Sequence, residues 1–224
     1  MTTAMIIGAD RGIGAALVDV YEARGDDSIA VCLGDGSRWA NKRVRVIDHI
    51  DVTNPDAIVK LAVEAGTLPI DILIHVAGVG AFDKWGQLDF DAMLRHYSLN
   101  ALGPLRVVSA LDRNLGAGSK VGIVTSRMGS IGDNGSGRMY SYRMSKAAAN
   151  MLGVNLYHQL RPRGASVMLL HPGTVATQMT KGAREWDSFT KPAEAAAGLA
   201  AQLDRLGPDT PIEFRHADGT LLPW

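Results

Sequence analysis

The seven residues Gly8-Ala9-Asp10-Arg11-Gly12-Ile13-Gly14 restrict this chain more than any other stretch. They lie between a short apolar run, Thr3–Ile7, and an apolar-periodic segment, Ala15–Arg24. A strand, a glycine-rich turn and a helix in that order form the entry to a dinucleotide fold. The glycines let the backbone approach a pyrophosphate, and the helix start offers free N–H groups and a positive dipole end. The spacing is GxxxGxG rather than GxGxxG, and a glycine motif alone is weak, so the strand–turn–helix context carries the reading. Asp10 sets a carboxylate in a phosphate turn. It is expected to point away from the anion and to accept from backbone N–H groups of the turn.

The rest of the chain keeps this alternation. Strands are expected at Ile29–Leu33, Arg43–Ile47, Asp71–Ile74, Lys120–Thr125 and Ser166–Leu170, with an edge strand at Pro211–Phe214. Helices are expected from Asn54-Pro55 to Glu64, over Asp89–Leu115 with a break at Gly103-Pro104, from Tyr142 to Leu160, and over Pro192–Leu206. Asn54 is a cap, and Pro55 suits the first helical position. Alternating strands and helices argue an α/β protein: one Rossmann-like, doubly wound parallel sheet, a single domain over 1–224.

Composition removes several function classes. Basic and acidic residues balance at 23 each, so no global field points to nucleic acid or to an anionic membrane. No stretch has the apolar length of a membrane span, and the N-terminus carries no secretory pattern, so cytoplasmic residence is expected. Cys32 is the single cysteine and reads as a small buried hydrophobe. The histidines at 49, 75, 96, 158, 171 and 216 have no metal-ligand spacing, and His171 is expected to pack rather than react.

Chemistry concentrates in Ser126–Lys146, SRMGSIGDNGSGRMYSYRMSK. Tyr142 and Lys146 stand four residues apart on one helix and share a face. An ordinary phenol, with a pKa of about 10, is a feeble base, and an adjacent ammonium favours the phenolate. The pair is a proton-transfer device. Tyr140 has Met144 at the matching place and lacks this partner.

Gly8–Gly14, Asp51-Val52, Ala77-Gly78, Asn100-Ala-Leu-Gly103, Ser126, Tyr142 with Lys146, and Pro172-Gly173-Thr-Val-Ala-Thr177 occur in the order of one family. Over essentially its whole length the chain resembles the short-chain dehydrogenases/reductases, and within them the small carbonyl reductases of the sniffer and C-signal type. The resemblance implies a hydride transfer between nicotinamide and a carbonyl or secondary alcohol. It implies Tyr142 as proton donor and Lys146 as the group that lowers the phenol's pKa and holds the nicotinamide ribose. Ser126 would fix the carbonyl oxygen, and Asn100 would hold a relay water toward Lys146. Ser130 competes for the serine role, but Ser126 follows the strand. The cofactor-binding set is Gly8, Asp10, Arg11, Gly12, Ile13, Gly14, Asp35, Asp51, Val52, Ala77, Gly78, Tyr142, Lys146, Pro172, Gly173, Val175 and Thr177.

Ile7 replaces the family's usual threonine, and His75-Val76 its Asn-Asn, with consequences expected for stability rather than chemistry. The Ser126–Tyr142 interval is long by a Gly/Ser/Asn-rich stretch that should border the substrate cleft. Met179, Trp186 and Phe189 follow the sixth strand, and either cover the substrate as a flap or pack as surface.

The cofactor signs conflict. An acid about 20 residues past the glycine turn suits the ribose of NAD, and Asp35 stands near that place. Arg11 directly precedes Gly12, where relatives using NADP often have a basic residue facing the 2′-phosphate, and Arg38 could join it or remain a solvated charge. NADP(H) is preferred, with NAD(H) as the alternative. The rival function is a cofactor-binding regulator of the same fold with little turnover. The helices at 89–115 and 142–160 pair in dimers of many relatives while some small relatives are monomers, so a homodimer or homotetramer is open, and the other partner is a small carbonyl or alcohol.

Overall fold

A computed structural model describes residues 2–80 and 82–224. Among the described residues, seven strands build one sheet: β1 (Thr3–Ile7), β2 (Asp27–Val31), β3 (Val44–Ile47), β4 (Ile72–His75), β5 (Lys120–Val124), β6 (Ser166–His171) and β7 (Phe214–His216). Their order is β3-β2-β1-β4-β5-β6-β7, and every neighbouring pair is parallel. The order reverses between β1 and β4, which is where a doubly wound sheet opens a crevice at its carboxyl ends.

Alternation along β1 gives the sheet two cores. Met5 and Ile7 face one side, with Leu61 of α2 (Pro55–Ala65), Val107 of α4 (Gly103–Ala110) and Leu156 of α5 (Tyr140–Leu160). Ala4 and Ile6 face the other, with Leu17 of α1 (Gly12–Ala23) and Leu199 of α6 (Pro192–Asp204). Strands buried on both faces explain their continuous apolar runs. The Asn54 side chain accepts from Asp56 N at 2.8 Å, the cap expected for α2. No described helix is long and apolar enough to cross a membrane.

Several boundaries differ from the sequence expectation. Pairing of Thr3 with Asp27 starts β2 two residues before its apolar run. The edge strand lies at Phe214–His216 because Phe214 takes the register opposite Leu169. Helix α5 begins at Tyr140, so Tyr142 sits inside its first turn rather than opening it. The break in the long helical region is a π-helical turn at Ser98–Leu102, after α3 (Phe90–Tyr97), and Gly103-Pro104 starts the next helix. Proline suits a helix start, where its missing N–H is not needed. On the outer face, α3 buries none of its residues, and Phe90 and Leu94 are exposed, as are Met144 and Met151 of α5.

Candidate active site

The turn after β1 is built by contact with the end of β4. Gly8 has φ +88°, and a Cβ there would lie 2.8 Å from Ala77 N. A Cβ on Gly14 would lie 2.0 Å from the Gly8 carbonyl oxygen, so α1 seats directly on the turn. Gly8 N and Ala9 N donate to Val31 O, which leaves the first N–H groups of α1 for another acceptor. Arg11 stands at the N-cap of α1, exposed, and its side chain has no partner among the described residues. Asp10 finds backbone partners, at a different place from the one expected. Its carboxylate accepts from Leu33 N at 2.9 Å and Gly34 N at 2.8 Å, tying the turn to the loop after β2 rather than capping the turn itself.

That loop bears on cofactor choice. Asp35 is exposed and accepts from Ser37 N at 3.0 Å, and this bond holds its carboxyl below the usual carboxylate range. Arg38 is not a free loop charge. It pairs with Asp19 at 3.4 Å and lies over the Trp39 ring, 5.1 Å from its centre. Cys32 is buried and its thiol is pushed up to about 11, an inert hydrophobe as expected. Asp51 bonds Thr53 through Thr53 N at 2.8 Å and Oγ1 at 2.7 Å, and Val52 is buried beneath Gly103.

The reactive groups converge at the ends of β4 and β5. Ser126 follows β5, is buried, and accepts from Met128 N at 3.2 Å through its own Oγ. Burial pushes the Tyr142 phenol up, and its hydrogen bond with the Ser126 hydroxyl acts in the opposite direction. Lys146 is buried, donates to Val124 O at 3.1 Å and lies 5.8 Å from the centre of the Tyr142 ring. Desolvation lowers its ammonium to about 8. The expected depression of the phenol by Lys146 is therefore not the net effect here: the phenol stays protonated at neutral pH, and desolvation outweighs the bond that favours its anion.

Asn100 reaches the site because the π turn carries it inside. Its amide nitrogen donates to Val79 O and Ser145 Oγ, both at 2.9 Å, and Oδ1 accepts from Val79 N at 2.9 Å. The amide thus pins the strand-end loop to α5. Gly78 lies between it and the lysine, since a Cβ there would be 3.1 Å from Asn100 Oδ1 and 3.4 Å from Lys146 Nζ. His75, in the family's Asn position, is fully buried. Burial, with Lys146 nearby, pushes its imidazole down to about 3, so it is neutral, and Nε2 has no partner among the described residues.

A cavity of about 460 Å³ opens beside Ser126 and Tyr142. Ile13 and the run Pro172–Val175 with Thr177 form one wall, so the glycine turn and the motif after β6 border the same space. Gly12 and Thr177 face each other: a Cβ on Gly12 would lie 3.4 Å from Thr177 Cγ2. Met179 lines the cavity, whereas Trp186 donates to Thr177 O and holds the segment behind it. His171 lines the cavity too and meets His216 edge-on at 5.1 Å; burial lowers its imidazole to about 4. Ser130 has a structural task, donating to Trp224 O at 3.0 Å. The described residues hold no cluster suited to a metal.

Among the wall residues missed in the sequence are Arg143, Asp133 and Phe82. Arg143 directly follows Tyr142, and Asp133 lies in the Gly/Ser/Asn-rich stretch already expected at the cleft, so two of them had a signal. Phe82 had none, because an aromatic in a loop reads as surface.

The short chain dehydrogenase family profile matches residues 2–188. A 1-hydroxy-2-glutathionyl-2-methyl-3-butene dehydrogenase of Rhodococcus sp. (strain AD45) is 47% identical over 226 residues, covering 100% of both chains. The C-signal protein of Myxococcus xanthus is 42% identical over 161 residues, 70% of this chain and 95% of its own. The structure of a carbonyl reductase from Pseudomonas aeruginosa PAO1 in complex with NADP superimposes with a TM-score of 0.86, at 29% identity and full coverage of both chains. This chain belongs to the short chain dehydrogenase family and is an oxidoreductase of that family.

Proposed function

We propose that the protein interconverts a carbonyl compound and an alcohol, with Tyr142 as the general acid and base. The observation that carries this reading is that Ser126 and Tyr142 line one cavity, with the Lys146 ammonium 5.8 Å from the centre of the tyrosine ring. Bound at the Gly8–Gly14 turn, a nicotinamide cofactor supplies or accepts the hydride. Ser126 holds the substrate oxygen, and Tyr142 gives it a proton as charge develops there. Lys146 then stabilises the phenolate left behind and contacts the nicotinamide ribose. Asn100 faces Lys146 across Gly78, where a relay water fits the role. Asp51, Val52, Ala77, Gly78, Pro172, Gly173, Val175 and Thr177 complete the cofactor wall. The Rhodococcus relative is named for a hydroxy compound, which supports an alcohol as one reaction partner. Exposed Phe90, Leu94, Met144 and Met151 support self-association through α3 and α5, and cytoplasmic residence belongs to the same reading. A carbonyl panel followed at the nicotinamide absorbance, with Tyr142→Phe as the blank, tests the assignment.

For the cofactor we infer NADP(H), because Arg11 offers an unspent guanidinium at the N-cap of α1. One observation favours NAD(H) instead: Arg38 is engaged with Asp19, while Asp35 presents an exposed carboxylate after β2. Arg11→Ala should weaken NADPH binding by roughly 1.5–3 kcal/mol, the size of a lost charge-assisted hydrogen bond, and NADH binding much less. Equal weakening of both, or a wild-type preference for NADH, hands the choice to Asp35.

A further inference from the structure

Arg143 lines the cavity one residue after Tyr142. Three of its N–H groups are used, and every acceptor is neutral: Nε donates to Gly137 O at 2.9 Å, Nη2 to Ser136 Oγ at 2.8 Å and Nη1 to Met128 O at 3.4 Å. A guanidinium has five such donors, so two remain. The other charges on the cavity wall, Arg127 and Asp133, are bonded to each other. Asp133 also feels the Arg143 guanidinium, so two cations share one carboxylate and the described wall keeps one positive charge in excess, on the cavity that Tyr142 lines.

We propose that Arg143 selects substrates carrying a carboxylate, with the reactive carbonyl at Tyr142 and the anionic group on this guanidinium. Phe82, Met139 and Met179 supply apolar wall for the carbon frame between them. The proposal rests on the hydride-transfer reading above. It deepens that reading by naming the substrate class.

The full chain, with its preferred nicotinamide cofactor, is assayed on 4-carboxybenzaldehyde and on the methyl ester of that aldehyde. The wild type is expected to favour the acid in kcat/KM by about tenfold or more, chiefly through KM, as a charge-assisted contact allows. Arg143→Gln should bring the acid-to-ester ratio close to one. Arg143→Lys should keep part of the ratio, and Ser136→Ala, which removes a loop bond but not the charge, should keep all of it. Added salt should erode the wild-type ratio. A wild-type ratio near one, or equal loss on both aldehydes in Arg143→Gln, overturns the proposal and leaves Arg143 as a loop support. If neither aldehyde consumes cofactor, the carbonyl panel decides the hydride reading, and calorimetric binding of 4-carboxybenzaldehyde decides this proposal separately. Tenfold weaker binding by Arg143→Gln sustains it, and unchanged binding overturns it.

Discussion

Tyr142→Phe should lower turnover by roughly 10²–10⁴-fold, the usual size of a general acid–base contribution, while cofactor affinity changes little. The ring keeps its packing in α5, and only the hydroxyl disappears. The pH profile adds a sign. Burial raises the phenol, so it is protonated through the neutral range and can donate. Carbonyl reduction should therefore hold at neutral pH and fall once the phenol ionises. Alcohol oxidation needs the phenolate and should rise as pH increases. Tyr140→Phe is the control, since that ring stacks on Trp85 at 5.5 Å and the substitution preserves the contact. Wild-type turnover in Tyr142→Phe would falsify the assignment.

Lys146→Met should lower both turnover and cofactor affinity, because the ammonium serves the phenolate and the ribose. Loss of fold is not the expected cause. The folded-state pKa, about 8, lies below the ordinary 10.5, so the charged lysine opposes folding. The opposition is complete below about pH 8 and fades as pH rises toward 10.5, on the order of 3 kcal/mol. Methionine has similar length and no charge. Apart from the lost bond to Val124 O, the variant should be at least as stable as the wild type at pH 7, measured by thermal melting. Unchanged cofactor affinity would remove the ribose contact while leaving the electrostatic role to turnover.

The sheet was legible because both of its faces are covered, so apolar runs and glycine turns mark nearly every strand. Strand ends were less so. Asp27 and His216 join β2 and β7 through register with a neighbour, which no local pattern displays. The π turn that carries Asn100 inside was read as a Gly-Pro break, since proline marks a boundary but not the hydrogen-bond slip before it. At the site, Tyr142 and Lys146 were paired by spacing along one helix, and Ser126 was singled out by the family resemblance. The balance of forces on Tyr142 was not legible, because desolvation depends on what covers the ring. Asp10 and Arg38 show the same limit: each found its partner across a loop, at Leu33 and Gly34 for one and Asp19 for the other.

The central claim is that hydride passes between nicotinamide and a carbonyl carbon beside Tyr142. Reduction with cofactor carrying deuterium at the transferable position of the nicotinamide ring tests it most directly. The account predicts one deuterium on the carbinol carbon of the product, formed roughly 10²–10⁴-fold more slowly with Tyr142→Phe. Alcohol formed without that deuterium would contradict it.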